Sequence, residues 1–109
     1  MMEANALQIL SYDGTFEGFL TCVFYVYERR LTNVDIQPSH VATDSLFDSR
    51  EEIITDLEKS KRVWNGLKSK TSSNGRLRLM YAFLSEQAGI ERHLLEFIRY
   101  VFDSKSIVD

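Results

Sequence analysis

Apolar residues recur at steps of three and four positions in four segments of the chain, the spacing that places them on one face of an α-helix. Before the first segment, Asp13 or Thr15 is suited to accept the free backbone N–H groups of a helix start. Before the second, Thr55 and Glu58 have the spacing of a capping box. We therefore predict four helices, near 16–30, 56–69, 74–86 and 90–102.

Shorter apolar runs that lack a helical stripe predict strands. Residues 7–11 form one such run, and residues 45–47 and 51–54 flank a polar turn as the arms of a hairpin would. The polar segment 32–44 contains Pro38 and is predicted to be a long loop that holds at most one irregular strand. The predicted fold class is α+β, mainly α, with a small antiparallel sheet near 7–11, 45–47 and 51–54.

The helical stripes also predict which side chains form the core. Six large residues are expected to be buried and close together, namely Phe19, Val23, Phe24, Trp64, Leu84 and Phe97. Leu57 in the second helix, and Leu77 and Tyr81 in the third, are also expected to face inward. The first helix carries apolar residues such as Tyr25 and Val26 on its other side, which is more than one core face requires. We therefore expect this helix to contact a second copy or another part of a longer protein.

Length and residue usage fit one domain and offer little for catalysis. The chain has 109 residues, enough for one hydrophobic core, and residues 1–109 are expected to form a single domain. Cys22 is the only cysteine and lies in an apolar run, so we expect a buried, unreactive thiol. His40 and His93 do not have the spacing of a zinc-ligand pair, and the five glycines are isolated. No catalytic residue, metal site or cofactor is predicted.

The N-terminus and the apolar runs also bear on location. The first residues lack the basic and apolar regions of a signal peptide. No run approaches the ~18 apolar residues that a membrane-spanning helix needs. We expect a cytoplasmic protein with no membrane contact.

Charge is distributed unevenly along the chain. Residues 58–78 contain seven basic residues and one acid, so this segment carries +6 and the remainder carries −9, for a net charge of −3. Such asymmetry indicates an anionic partner, although a solvated helix face gives the same pattern. The candidate nucleic-acid-binding residues are Lys61, Arg62, Lys68, Lys70, Arg76 and Arg78. Trp64 among them is either a stacking platform for a base or the core anchor of its helix.

The stretch from Tyr12 to Phe19 is the most distinctive in the chain. It has the composition of a strand end, a tight turn at Gly14 and a capped helix start. Free amides at a helix start also attract anionic groups, so Tyr12, Asp13 and Glu17 are a candidate notch for a ligand or a partner.

The segment from Tyr12 to Phe24 resembles the opening signature of a bacterial family of DNA metabolism or DNA repair proteins, which is built on a domain of unknown function. Further matches extend the resemblance over almost the whole chain. They are Leu46-Phe47, Arg62-Val63-Trp64, Gly66-Leu67, the segment from Tyr81 to Glu86, and the segment from Phe97 to Phe102.

The resemblance implies a role in DNA metabolism and a partner. Family members are typically encoded beside a radical SAM protein of DNA modification or repair, and some are fused to a domain like uracil-DNA glycosylase. Typical members continue further, so this chain is expected to be the N-terminal portion of a longer architecture. The leading hypothesis is a non-catalytic accessory domain that acts with the radical SAM partner and contacts nucleic acid through the basic segment. The alternative is a protein-interaction or homo-oligomerisation module without nucleic-acid contact.

Overall fold

The computed structural model describes residues 7–41 and 49–103, which form a mostly helical α+β fold. A three-stranded sheet is packed with four helices, as the fold class predicted. The strands are β1 (Gln8–Tyr12), β2 (Val34–Pro38) and β3 (Ser49–Glu52), and the helices are α1 (Phe16–Glu28), α2 (Leu57–Lys70), α3 (Ser73–Leu84) and α4 (Ile90–Asp103).

The sheet is parallel throughout, so the predicted antiparallel arrangement is wrong. β1 lies in the centre, and both β2 and β3 run in its direction. Gln8 is paired with Val34 on one side and with Ser49 on the other. Helix α1 returns the chain to the starting edge of the sheet, so β2 repeats the direction of β1. The predicted strand at 45–47 lies outside the described residues, whereas the one near 51–54 corresponds to β3.

β2 occupies part of the segment that was predicted to be a loop. Val34 and Ile36 are buried and alternate with half-buried Asp35 and Gln37, which is the two-residue period of a strand. Pro38 ends the strand at an outer edge of the sheet, where its missing N–H group breaks no ladder bond.

The four predicted helices are confirmed to within two residues at each end, and their caps explain where they begin. The Thr15 hydroxyl oxygen accepts from the Gly18 amide at 2.9 Å and starts α1. Asp56 starts α2, where one carboxylate oxygen accepts from the amides of Glu58 and Lys59. The predicted capping role of Thr55 is therefore wrong.

The core lies between the sheet, α1 and the inner faces of α2 and α4. Phe19, Cys22 and Val23 are completely buried, in agreement with the prediction for α1 and for the thiol. Burial also raises the pKa of Cys22 to about 12, so the thiol stays protonated. Phe24 and Trp64 are only partly buried and pack against the outside of this core.

Several predicted core positions are exposed instead. Leu84 is 62% exposed and Phe97 is 38% exposed, and the helix-initial Leu57 also faces outward. In α3 the buried side chains are Leu79 and Phe83. The predicted stripe of this helix, Leu77, Tyr81 and Leu84, is therefore the exposed one.

The apolar surplus on α1 is largely covered within the chain. Val26 is buried. Tyr25 is half-buried, and the Arg29 guanidinium lies 4.8 Å from its ring centroid. Contacts among the described residues therefore cover Val26 fully and Tyr25 in part, at the positions where a contact with a second copy was expected.

Candidate functional site

A cavity of about 500 Å³ opens at the carboxyl ends of β1 and β2. Ligands of parallel α/β sheets bind at this edge, where the loops that leave the strands converge. The residues that line the cavity come from the end of β1, from β2 and the turn after it, and from α3, α4 and their connection. They are Tyr12, Asp13, Gly14, Asp35, Ile36, Gln37, Pro38, His40, Val41, Phe83, Leu84, Glu86, Gln87, Ala88, Gly89 and Glu91.

A buried tyrosine–carboxylate pair forms part of the cavity wall. The Tyr12 hydroxyl donates to Oε2 of Glu91 at 2.7 Å, and the two residues are only 1% and 6% exposed. Burial, together with the neighbouring Glu91 carboxylate, raises the pKa of Tyr12 far above its usual value, so the hydroxyl remains a neutral donor. Phe19 and Phe83 pack against the Tyr12 ring, with centroid distances of 6.2 and 6.3 Å, and fix its position.

Asp13 organises the turn between β1 and α1. Its Oδ1 accepts from the Thr15 amide at 3.0 Å and from the Thr15 hydroxyl at 2.6 Å, and its Oδ2 accepts from the Thr55 hydroxyl at 3.0 Å. These bonds lower the pKa of the Asp13 carboxyl, with the Thr15 hydroxyl as the largest cause. Gly14 has a φ of +90°, a conformation that glycine adopts readily. The turn is thus held by protein groups and anchors the cavity's edge.

The wall contributed by β2 is also held by hydrogen bonds within the chain. Asp35 accepts from the Ile36 amide and from the Gln37 side chain, each at 3.0 Å. The Arg50 guanidinium, which does not line the cavity, donates to Oε1 of Gln37 at 3.2 Å and to the Val41 carbonyl at 2.9 Å. Arg50 therefore stabilises the positions of Gln37 and Val41 from outside the cavity.

The predicted notch is only partly assembled by the fold. Tyr12 and Asp13 line the cavity, whereas Glu17 does not and is exposed in the first turn of α1. Glu91 and His40 also line the cavity but were not predicted as site residues. For Glu91 a signal was available, because this acid occupies the buried face of α4 with Leu94, Leu95 and Ile98.

Carboxylates dominate the charge of the cavity. Asp13, Asp35, Glu86 and Glu91 contribute four, and none of the residues that line it is a lysine or an arginine. Over the described ranges, no cluster of three or more histidine, cysteine, aspartate or glutamate residues is arranged to hold a metal ion.

The predicted nucleic-acid-binding residues separate into two groups. Lys61, Arg62 and Lys68 are exposed on α2, and Arg78 is exposed on α3. Lys70 and Arg76 are only partly exposed.

Arg76 has a structural role at the junction of α2 and α3. Its guanidinium donates to the Thr71 carbonyl at 2.8 Å, just beyond the end of α2, and lies 5.9 Å from the Trp64 ring centroid. Trp64 in turn meets the Phe16 ring edge to face at 5.8 Å. These contacts use both side chains for packing, so Trp64 acts as an anchor of α2 in this fold.

Comparison with known proteins adds no family to this picture. No model of a protein family, no curated protein and no solved structure matches the chain. Among the helices of residues 7–41 and 49–103, none has both the length and the apolar character needed to cross a membrane.

Proposed function

We propose that this chain is a non-catalytic accessory domain of a DNA metabolism or repair system and that it contacts nucleic acid through the basic face of α2. We define this face by Lys61, Arg62, Asn65 and Lys68. The observation that carries the proposal is that all four side chains are exposed on one side of a single helix.

The spacing along α2 suits a phosphate backbone. At 100° per residue, Lys61, Asn65 and Lys68 fall within a narrow arc, and Arg62 lies at its margin. Lys61 and Lys68 are separated by roughly 10 Å along the axis. Measured along the axis of duplex DNA, one strand places about three phosphates in that distance. Two lysines and one arginine can therefore contact neighbouring phosphates while the Asn65 amide offers a further hydrogen bond.

These cations have few competing partners in the described structure. The two ion pairs found among the described residues, Arg29–Glu51 and Lys59–Asp56, use neither Lys61 nor Lys68. Arg62 lies over the Phe24 ring at 5.7 Å, a contact that leaves its N–H groups available. Glu58 is an exposed acid one turn away and moderates the attraction.

The sequence resemblance to DNA metabolism and repair proteins supports the same proposal independently of the structure. It implies a biological partner, a radical SAM protein of DNA modification or repair, and a bacterial setting. In this scheme the partner performs the chemistry, and this domain holds the nucleic acid or the partner in place.

Fluorescence anisotropy with labelled single- and double-stranded 20-nucleotide DNA tests the proposal at low salt. Three phosphate contacts predict a slope of about −3 in a plot of log K against log salt for duplex DNA. We expect Lys61→Glu with Lys68→Glu to weaken binding by about tenfold or more. Arg30→Glu with Arg92→Glu is the matched control, because it changes the net charge equally at exposed positions outside α2. Absence of binding, or equal losses in the two double variants, would refute nucleic-acid contact by this face.

A protein-interaction function is the second candidate, and the exposed apolar stripe of α3 favours it. Leu77, Tyr81 and Leu84 recur on one face and are 47%, 65% and 62% exposed. Sedimentation velocity of the wild-type protein and of Leu84→Lys tests self-association through this stripe. A concentration-dependent dimer that the substitution abolishes would favour this function, and a monomer at all concentrations would argue against self-association.

A further inference from the structure

We propose that the cavity at the carboxyl ends of β1 and β2 binds an organic cation that carries a guanidinium or primary ammonium group on a short apolar body. This site is separate from the basic face of α2, and the proposal does not depend on nucleic-acid contact.

Glu91 is the side chain around which the site is built. Its carboxylate lines the cavity although only 6% of the residue is exposed. Tyr12 occupies one acceptor position of a group that has about four. Neither ion pair of the described residues, Arg29–Glu51 or Lys59–Asp56, includes Glu91. The Tyr12 hydroxyl supplies a hydrogen bond but no opposite charge, so a cation in the cavity would add an ion pair to this carboxylate.

The charged side chains around the cavity favour a positively charged ligand. Asp13 and Asp35 also line the cavity, and each accepts more hydrogen bonds from the chain than Glu91 does, three for Asp13 and two for Asp35. They therefore keep the local potential negative, while Glu91 and the exposed Glu86 have more acceptor positions open to a ligand. Because no lysine or arginine lines the cavity, a phosphate or carboxylate ligand would be repelled.

The size and the apolar surfaces of the cavity define the rest of the ligand. Phe83, Pro38 and Ala88 contribute apolar wall beside the carboxylates. About 500 Å³ is in the range of ordinary small-molecule sites. A three- or four-carbon chain packed on this wall would place its terminal cation beside Glu91. The same chemistry is presented by a free guanidino or amino compound and by an arginine or lysine side chain of a protein partner.

Two-dimensional ¹H–¹⁵N NMR titration of the full chain tests the proposal with four related probes. These are butylguanidine, butylamine, the uncharged isostere butylurea and the anion butyrate. We expect saturable shifts of the amides around Tyr12, Gly89 and Glu91 with the two cations. A capped Gly-Arg-Gly peptide, added separately, distinguishes a side chain from a free compound as the source. Tighter binding of the peptide than of butylguanidine assigns the site to a protein partner, and the reverse order assigns it to a small molecule.

Variants then test the role of Glu91 itself. Glu91→Gln keeps an acceptor for the Tyr12 hydroxyl but removes the charge, and we expect the Kd of butylguanidine to rise by about tenfold to a hundredfold. Glu96→Gln is the matched control, since this acid is exposed on the same helix and does not line the cavity. Should Glu91→Gln fail to fold, Glu86→Gln at the exposed rim is expected to weaken binding by a few-fold. Binding of butylurea as tight as that of butylguanidine, or no saturable shift at about 10 mM cation, would overturn the proposal. So would an affinity for butylguanidine that is unchanged in both Glu91→Gln and Glu86→Gln.

Discussion

Replacing Gly18 with alanine tests the reasoning about the turn that precedes α1. A Cβ atom at this position would lie 2.5 Å from Oδ1 of Asp13 and 2.9 Å from Oγ1 of Thr55. It would also lie 3.1 Å from Oγ1 of Thr15, the hydroxyl that caps the helix. The extra methyl group therefore cannot be accommodated unless this hydrogen-bonded turn moves.

Two opposing contributions determine the size of the effect. Alanine in place of a helical glycine normally stabilises a protein by roughly 0.5–1 kcal/mol. Displacing the Thr15 cap costs about 1 kcal/mol, and weakening the Asp13 hydrogen bonds costs about 1 kcal/mol more. Overpacking adds a cost of about 1 kcal/mol where the neighbours yield only partly. Together these contributions predict that Gly18→Ala lowers the free energy of unfolding by about 2 kcal/mol.

Urea denaturation followed by far-UV circular dichroism measures this difference. Gly66→Ala is the matched control, because Gly66 is also helical but its nearest neighbour would be the ring edge of half-buried Phe102 at 3.2 Å. That ring can shift, so we expect the control to be neutral or stabilising by up to about 1 kcal/mol. If Gly18→Ala is as stable as Gly66→Ala, helix propensity outweighs the turn contacts and our account of the turn is wrong.

Three further predictions concern the core, the acid dependence of stability and the thiol. Phe19→Ala should lower the free energy of unfolding by about 3–5 kcal/mol. Phe24→Ala truncates a half-buried ring and should lower it by only about 1–2 kcal/mol. If urea denaturation gave the reverse order, the observed helix register would be contradicted. The lowered pKa of Asp13 means that its stabilising contribution is present above the unfolded value of about 3.9 and is lost as the pH falls below it. Asp13→Asn should therefore lose less stability than the wild type in urea titrations between pH 6 and pH 3, and parallel curves would argue against the Asp13 bonds. Cys22 should react with a thiol-specific disulfide reagent only after unfolding, because the thiol is buried and burial raises its pKa to about 12. Rapid labelling of the native protein would be inconsistent with this buried position.

In the third helix, the periodicity of apolar residues does not determine which face is buried. α3 carries two apolar stripes, one with Leu77, Tyr81 and Leu84 and one with Leu79 and Phe83. Either stripe satisfies the helical period, so the pattern defines the helix but does not say which face is buried. The choice is made by tertiary packing, in which the Phe83 ring lies 5.2 Å from that of Phe16. In α4 the predicted core residue Phe97 is exposed, and the buried face consists of Glu91, Leu94, Leu95, Ile98 and Val101.

The sheet and the cavity were hard to predict for a related reason. The alternation of Val34 and Ile36 was present in the sequence, but Pro38 and the polar neighbours favoured a loop. Strand direction depends on how α1 returns the chain, and apolar composition carries no information about that. The cavity depends on three loops that are distant in sequence, so only Tyr12 and Asp13 in its lining were selected in advance.

The central position of β1 has a consequence for how the molecule is made. Both neighbours of this strand come later in the chain, beginning at Val34 and at Ser49, and each must find β1 in a defined parallel register. During synthesis, the edges of β1 therefore remain unsatisfied until the residues through Glu52 have left the ribosome. Pairing over such sequence distances is slow, and open strand edges invite wrong partners. The interval between the synthesis of β1 and that of β3 is therefore the one in which the open edges of β1 expose the chain to aggregation or to binding by a chaperone.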